Sequence, residues 1–200
     1  MIITYFGLTC FRIQNSGTSI LIDRFDKTAG LELPRMQNDI VLESRSNKPV
    51  RDDAFAVTGP GEYEVKDIFI YGIPASGDQD NGTMFLIKQE GISLLHLGQT
   101  KQFKMSEEQK KMLEEVDILM VPVGGGDSLT AKQAAEAVNE LEPRIVIPMY
   151  YELPKLKLKL DGLDKFKKEI AAKWEKVDKL KINKKDLPQE ETKIIIIEPS

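Results

Sequence analysis

The amino-acid sequence predicts one α/β domain that spans residues 1–200. The first half of the chain consists of short apolar runs separated by turn residues, which is typical of β-strands. The second half alternates amphipathic segments with short apolar runs, which indicates helices between strands. Two hundred residues with 41% hydrophobic content suffice for one core, and no linker divides the chain. Strands first and strand–helix alternation later predict sheets covered by helices.

The predicted strands of the first half end at glycine or polar turn residues. Lys66-Asp67 separates two of them and predicts a hairpin, and Gly91 separates a second pair. Asn15-Ser16-Gly17 is an earlier turn signal. The nine predicted strands cover residues 2–6, 10–14, 18–23, 39–42, 54–57, 62–65, 68–73, 83–88 and 92–97.

Two capping boxes mark the starts of helices in the second half. They pair Ser106 with Gln109 and Thr130 with Gln133, so that each side chain caps the other's backbone. The predicted helices end near residues 116 and 141, and a third helix covers 164–173. Buried strands are predicted over residues 118–123, 145–148 and 194–197.

The cysteine content and the lengths of the apolar runs indicate the cellular compartment. The single cysteine, Cys10, excludes an internal disulfide and fits a reducing compartment; it lies in a strand-like run, so we expect a core residue rather than a nucleophile. The first residues lack the pattern of a secretory signal, and no run approaches the ~18 apolar residues of a membrane span. We therefore expect a cytoplasmic protein that does not enter a membrane.

Positive charge is concentrated near the end of the chain. Residues 155–185 contain twelve lysines and five acidic residues, a net of +7, although the whole chain carries −4. Such a segment could attract nucleic acid. Aromatic residues do not interleave at base-stacking spacing, so we favour a solvated lysine-rich face without a nucleic-acid partner.

Seven motifs along the first three quarters of the chain resemble one known family. In order they are YFGLTCFRI, TSILIDRFD, GPGEYEV, YGIPA, LLHLGQT, DILMVPVGGG and PRIVIPMYY. Together they resemble the metallo-β-lactamase fold superfamily, in particular the small stand-alone zinc-dependent hydrolases related to L-ascorbate-6-phosphate lactonase. The resemblance implies an αββα four-layer sandwich, with an active site at one edge of two sheets. In the family, loops at that edge hold two zinc or similar divalent ions.

The resemblance places the family's metal ligands at positions that hold other residues in this chain. The first two histidines of its H-x-H-x-D-H motif fall on Arg45 and Asn47. The bridging aspartate becomes Gln99, the last histidine becomes Tyr150, and an early histidine becomes Leu8. Arginine has no lone pair free for a metal. We therefore predict that the protein has no metal cofactor and no catalytic residue. A protein with the fold of a hydrolase but without its activity is a pseudo-hydrolase.

The same replacements suggest another use of the cleft. If the fold is as implied, Arg45, Asn47, Gln99 and Tyr150 converge there. Arginine can hold a carboxylate or phosphate in a bidentate manner, with the other three side chains as hydrogen-bond partners. We predict a small anionic ligand. One alternative is an inert site in which Glu43 neutralises the arginine; another is a hydrolase that acts on an ester, lactone or phosphoester through an atypical site.

Two further features admit both a functional and a structural interpretation. Gly124, Gly125 and Gly126 precede a helix and could hold an anion through backbone N–H groups, or could simply form a tight turn from strand to helix. We include Gly124 and Gly125 among the candidate ligand-binding residues. The only histidine, His96, is not a metal ligand in the family, and we expect it to be a buried, hydrogen-bonded residue.

Overall fold

The computed structural model describes residues 1–15, 17–45, 53–75 and 82–200. In these ranges the chain forms two β-sheets and three α-helices, so the α/β fold class is confirmed. The strands are β1 (Ile2–Gly7), β2 (Cys10–Asn15), β3 (Thr18–Ile22), β4 (Ile40–Leu42), β5 (Phe55–Val57), β6 (Gly61–Val65), β7 (Ile68–Pro74), β8 (Thr83–Gln89), β9 (Ile92–His96), β10 (Ile118–Pro122), β11 (Ile145–Met149), β12 (Lys173–Val177), β13 (Leu180–Lys181) and β14 (Lys193–Ile197).

Each sheet combines antiparallel hairpins with parallel pairs. The six-stranded sheet has the order β13-β1-β2-β3-β4-β5, and β4 and β5 extend it in parallel from β3. The eight-stranded sheet has the order β12-β14-β11-β10-β9-β8-β7-β6. Its strands β6 to β9 form an antiparallel meander. From β9 onward, neighbouring strands pair in parallel in the order β9, β10, β11, β14, β12. The carboxyl ends of parallel strands therefore collect at one edge of each sheet.

The two sheets pack face to face around one hydrophobic core. The ring of Phe11 on β2 meets the ring of His96 on β9 edge-on, with centroids 6.0 Å apart. The other face of the six-stranded sheet carries a smaller buried cluster that includes Cys10 and Leu21. Because side chains alternate along a strand, this cluster points away from the main core. The segment around Phe25 and Met36 covers it, and among the described residues this segment contains only the short 3₁₀ helix Lys27–Ala29.

The three α-helices are α1 (Glu107–Met112), α2 (Ala131–Leu141) and α3 (Leu163–Glu169). Both predicted capping boxes are present, with backbone and side-chain bonds in both directions. Helix α1 ends four residues earlier than expected: Glu114 and Glu115 follow it, and carboxylates are unfavourable at the negative end of a helix. In the part of the chain that the structure describes, no helix combines the length and apolar content that a bilayer crossing requires.

The predicted third helix is too long, and two strands near it were not predicted. Helix α3 ends at Glu169 because Ile170 adopts extended backbone angles. Three residues later β12 begins and pairs in parallel with β14. Trp174 on β12 packs edge-on against the buried Phe166 of α3, with centroids 5.8 Å apart. This tertiary contact overrides the weak helical preference of a lysine-rich segment.

Candidate functional site

A small cavity lies where strand ends from both sheets meet. Its volume is about 270 Å³. Its residues come from the turn after β1, from the segments that follow β3, β4, β9, β10 and β11, and from a loop near residue 158. The cavity therefore lies outside the carboxyl ends of the strands. This is the position at which α/β sheets bind ligands. The lining residues are Leu8, Thr9, Asp23, Arg24, Phe25, Glu43, Ser44, Arg45, Gln99, Asp127, Tyr150 and Leu158.

Three residues of the cavity wall have left-handed backbone conformations. Leu8, Asp23 and Tyr150 each have φ of 52°. The Tyr150 N–H donates to the Leu8 carbonyl oxygen at 2.8 Å, which joins two of these residues to each other. The Asp23 N–H donates to the carbonyl oxygen of Leu42 at 2.9 Å, so each of the three conformations is held by a bond to another segment of the chain. Strained non-glycine conformations persist only where surrounding structure enforces them, and they concentrate at functional sites.

Three of the four predicted cleft residues line this one cavity. The Gln99 Nε2 donates to the Tyr150 hydroxyl oxygen at 2.9 Å. Burial raises the pKa of Tyr150, and the negative charge of the Asp127 carboxylate raises it further. The positive charge of Arg45 lowers this pKa. At neutral pH the phenol is therefore protonated and can donate. The fourth residue, Asn47, lies outside the described residues.

Two carboxylates in the cavity already have specific partners. Asp23 accepts a hydrogen bond from the Ser44 N–H at 2.6 Å and another from the Ser44 hydroxyl at 2.7 Å. Glu43 accepts from the Arg24 Nε at 2.7 Å. Burial raises the pKa of Glu43, and this ion pair partly offsets that effect. One alternative was an inert site in which Glu43 neutralises Arg45; the structure shows an ion pair of Glu43 with Arg24.

Sequence reasoning did not select Asp23, Ser44 or Arg24 as site residues. All three directly follow β3 or β4, which are neighbouring parallel strands. Polar residues at adjacent carboxyl strand ends are the signal that could have identified them.

The glycines after β10 have a structural role in the described chain. A Cβ on Gly124 would lie 2.3 Å from the carbonyl oxygen of Tyr150, so only glycine lets these two segments approach. The Gly125 N–H donates to the Leu129 carbonyl oxygen at 2.9 Å. Neither glycine lines the cavity. These contacts favour the turn interpretation; anion binding by the two glycines stays a prediction.

His96 is fully buried, as predicted, and contacts the cavity residue Thr9. Its Nε2 donates to the Thr9 carbonyl oxygen at 2.9 Å, and its Nδ1 accepts from the Gly98 N–H at 3.1 Å. This pattern requires a neutral ring. Burial also lowers the pKa of His96.

We expect this histidine to make stability depend on pH. The unfolded chain binds the proton more readily than the folded protein, so the stabilisation is complete above about pH 6.5 and falls at lower pH, by at most about 1.4 kcal/mol per pH unit. Urea unfolding between pH 7 and pH 5 measures the slope. His96→Gln, which cannot titrate, should show a smaller slope, and equal slopes in the two proteins would contradict the assignment.

A two-sheet α/β sandwich with a polar cavity at the shared edge of its sheets is the architecture of the metallo-β-lactamase fold. Residues 2–150 match the Beta-lactamase superfamily domain, and the chain belongs to this family. A solved protein of Thermotoga maritima, classed as a Zn-dependent hydrolase of the metallo-beta-lactamase superfamily, superposes with a TM-score of 0.83 at 28% identity over 98% of this chain and 99% of that one.

More distant and partial matches agree with the family. Igni18, a metallo hydrolase of Ignicoccus hospitalis, has a TM-score of 0.62 at 19% identity, covers 84% of this chain and 89% of its own, and so shares the fold. A UPF0173 metal-dependent hydrolase of Pyrococcus abyssi is 34% identical over 98 residues, which are 46% of this chain and 44% of that protein. The match thus spans less than half the length of this curated relative.

These relatives correct the prediction that no cofactor is involved. They are named metal-dependent or zinc-dependent hydrolases, which implies a metal ion for the family. The described residues of this chain do not supply a matching set of donors. Among them, no three His, Cys, Asp or Glu side chains form a group that could hold an ion. The Asp23 carboxylate is bonded to Ser44 and that of Glu43 to Arg24.

Proposed function

We propose that the chain is a non-catalytic member of this family that binds a small anionic ligand in the cavity. The Tyr150 hydroxyl, the Gln99 amide and the Arg45 guanidinium would contact the anion. A carboxylate or a phosphate has the acceptor oxygens that these donors require.

The hydrogen bond between Gln99 and Tyr150 is the main observation that supports this proposal. The phenol oxygen accepts from Gln99, so its own proton remains to be donated. Within the described part of the chain that proton has no acceptor, and the side chain lines the cavity. A hydroxyl that is polarised and oriented by such a bond is suited to donate a hydrogen bond to an anion. The negative charge of Asp127 and the positive charge of Arg45 shift the pKa of this phenol in opposite directions, which places both charged groups near it.

The replaced ligand positions support a role in binding rather than hydrolysis. Leu8, Gln99 and Tyr150 stand where the resemblance places metal-binding residues, and all three line the cavity. Both ring nitrogens of His96 are bonded to the backbone, so this residue is not available as a general base. Glu43 is paired with Arg24.

A matched pair of tyrosine variants tests the proposal. Tyr150→Phe removes only the hydroxyl, and we expect the affinity for acetate and inorganic phosphate to fall about tenfold or more, since a hydrogen bond to a charged group contributes about 1.5–3 kcal/mol. Tyr151→Phe is the control, because Tyr151 is buried beside the site but does not line the cavity. Isothermal titration calorimetry measures both. Equal affinities in the two variants and the unchanged protein would contradict the proposal.

The names of the relatives favour a second candidate, a hydrolase. Turnover of a lactone, phosphoester or thioester in the presence of added Zn²⁺, Mn²⁺ or Fe²⁺ would support it, provided that Gln99→Leu abolishes the activity. Inactivity on the whole panel, with anion binding retained, would support the binding role.

We also infer that nucleic acid is not a partner. Aromatic residues do not interleave with the lysines of the 155–185 segment at base-stacking spacing, and two of these lysines are paired with acids: Lys165 with Asp161 at 2.7 Å, and Lys176 with Glu198. Binding of DNA or RNA that weakens steeply with salt would refute this inference.

A further inference from the structure

The cavity wall carries an exposed apolar side chain beside its polar groups. Leu158 is 45% exposed, one of four large apolar side chains among the described residues with such exposure, and it is the one that lines the cavity. Phe25 and Leu8 contribute further apolar surface to the same cavity. An exposed leucine alone needs no explanation, but one beside a ligand cavity adds a surface that a ligand can cover.

The loop that carries Leu158 is fixed in position. Its ends are joined, since the Glu152 N–H donates to the Asp161 carbonyl oxygen at 3.0 Å, so residues 152–161 form a compact Ω-type loop. The Asp161 N–H donates to the Gly124 carbonyl at 2.8 Å. On the other side, the Lys157 N–H donates to the Ala29 carbonyl at 2.9 Å, directly before Leu158. Leu158 is therefore held at the cavity by bonds on both sides of the loop.

We infer that the ligand of this cavity is an anion with a short apolar substituent. This inference rests on the proposed function, because it places the anionic group at Tyr150 and Gln99 and the apolar group against Leu158 and Phe25. A volume of about 270 Å³ accommodates roughly nine non-hydrogen atoms, since a water molecule occupies about 30 Å³. A carboxylate that bears a chain of three to six carbons, or a similar phosphate monoester, meets these requirements.

The inference makes affinity depend on chain length. Each methylene group that leaves water for an apolar contact should raise the affinity about fourfold, which is the ratio that corresponds to burial of one CH₂. From acetate to hexanoate the total gain should exceed tenfold, even when only half of the added methylenes reach the leucine.

Calorimetric titration with acetate, butanoate and hexanoate tests this dependence on the full chain. Leu158→Ser removes the apolar surface at an exposed position and should leave the fold intact. Met112→Ser is the matched control: Met112 is 39% exposed at the end of α1 and does not line the cavity. We expect the gain from acetate to hexanoate to persist in Met112→Ser and to fall to less than threefold in Leu158→Ser.

The possible outcomes distinguish failure of the apolar contact from failure of anion binding. Equal affinity for acetate and hexanoate in the unchanged protein would overturn this inference and leave the proposed function standing. A chain-length effect that Leu158→Ser retains would likewise overturn it. If neither acetate, hexanoate nor inorganic phosphate binds, the proposed function itself fails, and the inference fails with it.

Discussion

Asp23→Ala is expected to lower the free energy of unfolding by about 3 kcal/mol. The carboxylate accepts from both the N–H and the hydroxyl of Ser44, and both residues are buried. Its removal leaves two buried donors without partners, and each costs about 1–3 kcal/mol. Alanine is also unfavourable at the left-handed conformation of residue 23. Urea denaturation measures the change.

Asp23→Asn is the control for this experiment. Asparagine tolerates a left-handed conformation and can accept from the Ser44 N–H while it donates to the Ser44 hydroxyl oxygen. We expect its stability to lie within about 1 kcal/mol of the unchanged protein. If the two variants are equally destabilised, the negative charge and not the hydrogen bonds maintains the turn.

Gly124→Ala is expected to destabilise the protein by about 3 kcal/mol and to reduce anion binding. The added Cβ would lie 2.3 Å from the Tyr150 carbonyl oxygen and 3.0 Å from the Tyr151 Cα, both backbone atoms that cannot rotate away. Overpacking of this kind costs about 1–3 kcal/mol, and more when the backbone must move. Here the backbone that moves belongs to Tyr150, so ligand affinity should fall with stability.

Gly125→Ala separates this packing role from a role in anion binding. A Cβ on Gly125 meets only the side chain of Asp161, at 3.6 Å, but the residue has φ of 67°, so we expect a cost of about 1–2 kcal/mol and unchanged affinity. Thermal unfolding and acetate titration of both variants provide the comparison. A loss of affinity in Gly125→Ala without loss of stability would instead support the predicted anion contact at this loop.

Much of the fold follows from local sequence signals. Lys66 and Asp67 adopt the left-handed conformations of a two-residue hairpin turn, as the short polar break between two apolar runs predicts. Strand β12 shows where local signals fail. Three of its five residues are charged, in the sequence KWEKV, and it becomes a strand because it pairs with β14 and because Trp174 packs on Phe166.

The site was predictable only where the resemblance assigns a position. Arg45, Gln99 and Tyr150 were selected in this way, and the structure brings all three to one cavity. The hydrogen bonds of Asp23 with Ser44 and the approach of Leu158 join segments that are distant along the chain. No periodicity or spacing encodes such contacts. Composition also gave no indication of the metal dependence in the names of the relatives, because the expected ligands are replaced in this chain.

A crystal structure of the protein grown with hexanoate would show whether the cavity binds an anion. We expect the carboxylate to lie within hydrogen-bond distance, about 2.7–3.2 Å, of the Tyr150 hydroxyl and the Arg45 guanidinium. The alkyl chain should extend toward Leu158. Hexanoate bound elsewhere while the cavity holds only water, or a carboxylate that points away from Tyr150, would contradict the claim that this cavity binds anions.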